Sequence, residues 1–441
     1  MPDATARRVD TPLGPILAHR DGDLWRARGV PYARADRFQR PSPVAPWRRP
    51  FDAATPAPVS PQRVDGLMES VSPGYVDRLG VDEHCQRVSV TWPAGAGDEP
   101  LPVIVWIHGG SYLTGGGDLE GFDPALMVRE QRVIVVAVTY RLGLLGWLGD
   151  DRFAPANLGL LDIIEALRWV RTCIEGFGGD PTRVTAMGQS AGGDAITALM
   201  AVPEARGLFR RAIVQSAPLG IGDRRGAMQR AMLKAVHPVD TAMSVDDVLH
   251  ANAEIYRVSR KHGLKGLMPY GPQWGRYPLP PESGRDAATA ASRDVDLLMG
   301  HMSDEGVVVG AALPALGKAF QAPVVGGAVR HAVAGSLQAA VYEKGAARFV
   351  EAHRRAGGNA VQYLLGWKAT GSAIADGHGM DIPVLLGDPD AWVRTEGLRH
   401  ESPDRIRRVG TAIRQVWGDF ARRGRVAPES AAAASEWLRL S

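Results

Sequence analysis

At 441 residues, the chain is long enough for one large core with insertions or for several domains, so length alone leaves domain count open. Hydrophobic residues at 45% and charged residues at 22% match an ordinary globular protein and exclude a disordered or fibrous one. The formal charge of +3 comes from arginines scattered among acidic residues, which excludes a nucleic-acid partner, and two cysteines, Cys85 and Cys173, cannot build a disulfide framework or a metal site.

In chain order, the first ten residues are polar and lack the apolar stretch of a secretory signal, so a cytoplasmic location is expected. The longest apolar runs, such as 133–138, are strand-sized and well short of the roughly 18 to 20 residues of a membrane span. The first hundred residues are rich in proline and short strand-like pieces, which predicts an antiparallel edge with surface loops. Apolar runs at 102–107, 133–139, 184–187, 212–215, 295–299 and 361–367 read as central strands. Being apolar nearly throughout, they suit a mostly parallel sheet flanked by helices on both faces. Between Asn157 and Ile174, the apolar residues Leu160, Leu161, Ile164, Leu167, Trp169 and Val170 keep helical spacing, with Asn157 as its cap. From 222 to 294 the strand pattern lapses into helical and proline-rich sequence, which predicts a cap or insertion over the sheet within a single domain spanning 1–441. A last long helix is predicted over 404–422, and the alanines at 431–434 start another.

Gly188-Gln-Ser-Ala-Gly192 spells G-x-S-x-G, the nucleophile elbow of the α/β-hydrolase fold. The pattern is weak alone, but it lies between a strand candidate and a helix candidate starting near Ala195, which is the context it requires. Ser190 would then project its hydroxyl above the sheet. A hydroxyl needs a base beside it and a third group to hold that base, in the chain order nucleophile, acid, histidine. Of His237, His250, His262, His301, His331, His353, His378 and His400, only His378 sits in a Gly-rich loop after the last strong strand candidate. His301 is its main rival, but it precedes the best acids. Asp304 and Glu305 compete for the acid, both following the 295–299 strand. For the developing oxyanion, His108-Gly-Gly-Ser-Tyr112 supplies a Gly-rich turn after the first central strand. The expected donors are the N–H groups of Gly110, Ser111 and Ala191, with His108 structural.

The chain resembles the type B carboxylesterase family, which includes bacterial para-nitrobenzyl esterases and the cholinesterases. The resemblance runs through Arg28-Gly-Val-Pro-Tyr-Ala33, Trp106-Ile-His-Gly-Gly110, Asn157-Leu-Gly-Leu-Leu-Asp162, Phe177-Gly-Gly-Asp-Pro181, Gly188-Gln-Ser-Ala-Gly-Gly193 and Ser303-Asp-Glu-Gly306. It is densest over 101–218 and patchy after Gly306, where Gly377-His-Gly379 and the closing helix match. The resemblance implies a triad of Ser190, Glu305 and His378, and so favours Glu305 over Asp304. Departures are family segments missing near 34–37 and between 306 and 346, Gln189 where many members have Glu, and Ser111 in place of the common third Gly or Ala. Cys85 matches one cysteine of a disulfide in eukaryotic members, but its partner is absent.

The expected function is therefore carboxylic ester hydrolysis through an acyl-Ser190 intermediate, with no cofactor and a small-molecule ester as partner. Tyr112, Leu113, Trp274 and Met302 are expected in the wall of the substrate pocket, favouring uncharged substrates with small to medium acyl groups. Two alternatives remain: a catalytically silent binding module on the same fold, and a thioesterase or amidase using the same triad.

Overall fold

A computed structural model describes residues 5–64, 68–69, 72–95, 97, 99–236, 240–320, 322, 326–371 and 376–441. The sheet is built from β1 (Ala6–Thr11), β2 (Gly14–Asp21), β3 (Leu24–Pro31), β4 (Arg87–Pro93), β5 (Leu101–Ile107), β6 (Ile134–Thr139), β7 (Gly179–Gln189), β8 (Arg211–Gln215), β9 (Asp296–Met302), β10 (Ala360–Leu365) and β11 (Leu438–Leu440). Their order across it is β1-β2-β3-β4-β6-β5-β7-β8-β9-β10-β11, with the short strand Phe51–Asp52 added beside β2.

Strands β6, β5, β7, β8, β9 and β10 pair in parallel, in that order. The N-terminal strands β1 to β4 form an antiparallel edge, as the proline-rich composition predicts. The antiparallel β11 on the opposite edge was not predicted, because three residues carry too little periodicity to read.

Why the central strands are apolar throughout is clear from β5. Its seven residues are all buried, yet they divide: Val103, Val105 and Ile107 enter the core on one face, Ile104 and Trp106 that on the other. A strand alternates its side chains between faces, and here both faces are covered. Helices α1 (Leu158–Cys173) and α2 (Ala191–Leu199) pack into the first core. The C-terminal helix Pro403–Arg423 fills the second through Ile406, Val409, Ile413, Val416, Trp417 and Phe420. Both cysteines are buried and free.

Between β8 and β9 the described residues hold helices but no strand, namely α3 (Gly226–Ala235), α4 (Val245–Ser259) and α5 (Arg285–Ala290) with shorter turns. This segment packs onto the first core through Met228, Met232, Val248, Ile255 and Tyr270.

Asn157 departs from its expected role. It stands at the N-cap position of α1, but with φ 61° and no capping bond from its side chain. Its amide instead accepts from Gln273 N at 2.7 Å and donates to the carbonyls of Gln273, Arg276 and Tyr277, tying the inserted segment to the body of the protein.

Candidate active site

Ser190 joins the end of β7 to the start of α2 with φ 57° and ψ −121°, a conformation that side-chain-bearing residues rarely adopt and that clusters at functional sites. Its N–H donates to the Gln215 carbonyl at 2.8 Å, and its own carbonyl accepts from Asp194 N at 2.9 Å. The second motif glycine has a steric reason: a Cβ on Gly192 would collide with the Ile107 carbonyl oxygen. α2 can therefore lie close enough to β5 to hold the turn.

Three side chains far apart in sequence meet here. His378 Nε2 lies 2.8 Å from Ser190 Oγ, and His378 Nδ1 lies 2.6 Å from Glu305 Oε2. Glu305 lies three residues beyond the end of β9 and is fully buried. Its other oxygen accepts from Met302 N at 2.7 Å and from Ser216 Oγ at 2.5 Å, and its backbone N–H donates to Gln338 Oε1 at 2.9 Å. Of the two competing acids, Glu305 is the one bonded to His378. The Asp304 N–H bonds the Asp376 carbonyl at 3.3 Å. The rival His301 is buried and bonded to the Met302 carbonyl, as His353 is to that of Val295. His250 and His400 are exposed; His237 and the His331 side chain lie outside the described residues.

Electrostatics favour a protonatable imidazole. Burial alone would lower the His378 pKa, but the Glu305 carboxylate, aided by the charge of Asp381, raises it above the usual histidine value. Asp381 is itself buried. Desolvation pushes its pKa up to about 6, the nearby Glu305 adds to the rise, and a 2.6 Å bond from Gln215 Nε2 opposes it.

The Gly-rich turn after β5 passes directly beside the elbow. A Cβ on Gly109 would come within 2.8 Å of the Gln189 carbonyl oxygen and 3.1 Å of Ser190 Cβ, so only glycine permits this approach. Gly110 and Ser111 line the same cleft as Ser190 and His378. The Gly110 carbonyl points into the turn, accepting from Leu113 N and Thr114 N at 2.9 and 3.1 Å. Ala191 is buried and opens α2, where helix geometry leaves an N–H without an intrahelical acceptor. His108 supports the turn: its Nδ1 bonds the Gly109 carbonyl at 2.8 Å, its ring stacks on Tyr140, and burial lowers its pKa to about 4. A neutral, buried imidazole of this kind is structural.

The cleft has a cavity volume of about 100 Å³ and is walled by Met68, Met380, Ile382, Pro383, Trp392 and Leu398. This corrects the expected wall, since none of Tyr112, Leu113, Trp274 and Met302 lines it. Tyr112 follows the left-handed turn into the core, where its ring meets Trp147 at 4.0 Å. Met302 ends β9 on the core side. Leu113 and Trp274 pack against the first core, Trp274 under the Arg285 guanidinium. Adjacency to a site loop in sequence does not fix which way a side chain points. The true wall lies mostly after His378, in a stretch of short helical turns with weak periodicity. Ser216 was also missed; its signal is a hydroxyl residue directly after a central strand.

Among the described residues, no cluster of His, Cys, Asp and Glu is suited to a metal ion, and no helix is long and apolar enough to cross a membrane.

Comparison with known proteins converges on one family. Residues 8–322 match the model of the Carboxylesterase family. A probable N-octanoylanthranilate hydrolase of Rhodococcus erythropolis is 36% identical over 433 residues, covering 95% of this chain and 93% of that protein. The para-nitrobenzyl esterase of Bacillus subtilis is 35% identical over 320 residues, covering 68% of this chain and 63% of that protein. Among solved structures, a thermophilic pNB esterase superposes with a TM-score of 0.79 at 28% identity, covering 96% of this chain and 92% of its own. The protein belongs to the carboxylesterase family on the α/β-hydrolase fold and is a carboxylic ester hydrolase.

Proposed function

We propose that Ser190 is the nucleophile, His378 the general base and then general acid, and Glu305 the group that orients it, acting on uncharged esters with small to medium acyl groups. The observation that carries this reading is the 2.8 Å contact between His378 Nε2 and Ser190 Oγ, within reach of a proton transfer. As Ser190 Oγ attacks the ester carbonyl, His378 takes its proton. Glu305 holds the Nδ1–H tautomer and stabilises the imidazolium. The N–H groups of Gly110, Ser111 and Ala191 receive the oxyanion. Collapse releases the alcohol, which takes the proton from His378, and leaves acyl-Ser190. Water, deprotonated by His378, then attacks the acyl group, and collapse of the second tetrahedral intermediate returns the proton to Ser190 and frees the acid.

The apolar wall of the cleft supports an apolar acyl or alcohol group. The relative named for N-octanoylanthranilate, which aligns over 95% of the chain, favours a second reading in which the same acyl transfer serves an N-acyl substrate.

Labelling with a fluorophosphonate tests the enzyme reading, with modification expected in the native protein and lost in Ser190→Ala. An unlabelled native protein would overturn the assignment of Ser190 as nucleophile. Parallel assays of para-nitrophenyl esters, the matching anilides and thioesters then separate the leaving groups.

A further inference from the structure

The proposed oxyanion site is assembled from two distant parts of the chain, the turn after β5 and the start of α2, and its geometry depends on how these are held together. The turn is strained. Ser111 and Tyr112 both lie in the left-handed region, with φ 56° and 59°, where a side-chain-bearing residue costs on the order of 1 kcal/mol or more. Surrounding contacts must therefore impose it. The Tyr112 carbonyl accepts from Gly143 N at 2.7 Å, and its ring packs on Trp147.

A third contact reaches the nucleophile. The Tyr112 hydroxyl donates to Asp194 Oδ2 at 2.8 Å, and Asp194 lies in the first turn of α2 with its N–H on the Ser190 carbonyl. Both residues are nearly inaccessible, at 0% and 4% exposure, and neither lines the cleft. Packing explains the tyrosine ring but not its hydroxyl. Nor does packing explain a carboxylate buried opposite it, which is costly to desolvate. Arg225 and Arg285 act on Asp194 through their charges, while the tyrosine supplies the hydrogen bond.

We propose that Tyr112 and Asp194 are a positioning pair, whose hydrogen bond fixes the Gly110 and Ser111 amides against the Ser190 hydroxyl and so sets the rate of acyl transfer. The bond joins the residue after Ser111 to the first turn of the helix that follows Ser190. Losing it lets the turn relax away from its strained conformation. A displacement of about 1 Å at such donors costs on the order of a hundredfold in rate. This inference rests on Ser190 being the nucleophile.

The test uses the full chain with Tyr112→Phe, which keeps the ring, and Asp194→Asn, which keeps an acceptor. In Tyr112→Phe, kcat is expected to fall about tenfold to a hundredfold while KM changes by less than about threefold. Affinity for a trifluoromethyl ketone, which forms an oxyanion on Ser190, should fall by the same factor as kcat. Asp194→Asn should retain most of the native kcat, whereas Asp194→Ala should match Tyr112→Phe. The double variant Tyr112→Phe with Asp194→Ala should be no slower than either single variant. A Tyr112→Phe protein with native kcat overturns the proposal. So does one that melts earlier yet binds the ketone normally. If Tyr112→Phe does not fold, the contrast between Asp194→Asn and Asp194→Ala decides the same question. Failure of the native protein to react with a fluorophosphonate would instead overturn the Ser190 reading itself.

Discussion

Ser216 Oγ lies 2.5 Å from Glu305 Oε1, the carboxylate oxygen turned away from His378. Glu305 is thus gripped on both sides, by the imidazole at one oxygen and by Ser216 and the Met302 amide at the other. In Ser216→Ala the carboxylate keeps one fewer hydrogen bond in a buried site. A hydrogen bond to a charged group contributes about 1.5–3 kcal/mol. Steady-state kinetics should show kcat reduced by roughly tenfold to a hundredfold with little change in KM.

With His378 as the proposed general base, its titration should govern the pH profile. Attack requires a neutral imidazole, so activity should rise as pH increases through the His378 pKa, which Glu305 holds above its usual value. In Glu305→Gln the charge that raised it is gone and burial dominates. The acidic limb of kcat/KM should therefore move to lower pH, even though overall activity falls. A limb that stays in place would show that another group controls the profile.

Asp381 affects stability in a defined direction. Its folded pKa is raised to about 6 from 3.8, so the native state binds a proton that the unfolded chain has already lost between those values. Stability should fall as pH rises from about 4 through 6 and level off above, by on the order of 3 kcal/mol. Asp381→Asn removes that component. Denaturant titrations across this range should give the variant a flatter dependence, and one at least as stable as the native protein at pH 7.

The corrected cleft wall makes a specific distinction. Trp392→Ala enlarges the space beside Ser190 and His378 and should shift the preferred para-nitrophenyl ester toward longer chains. Trp274→Ala, at a position outside the cleft, should leave the chain-length preference unchanged.

Legibility in the sequence followed physical rules. The central strands were readable because burial on both faces demands continuous apolar runs, as in β5 and β6. Ser190 was readable because its strained turn requires Gly192 at a fixed offset. The partner residues were harder. Chain order and a Gly-rich loop pointed to His378, but choosing Glu305 over Asp304 needed the family resemblance, since two adjacent turn carboxylates carry no periodic signal. Asp381 and the apolar wall were not legible, because their roles come from side-chain direction after the chain folds. The same limit explains why Tyr112, next to Ser111, was expected in the pocket and instead points at Asp194.

The central claim, acyl transfer through Ser190, is tested most directly by rapid-quench mass spectrometry of the protein during turnover of a para-nitrophenyl ester. The expected result is a burst of nitrophenol with a mass gain equal to the acyl group, mapped to the peptide containing Ser190 and absent from Ser190→Ala. Turnover that persists in Ser190→Ala, or an acyl group mapped to another residue, would contradict it.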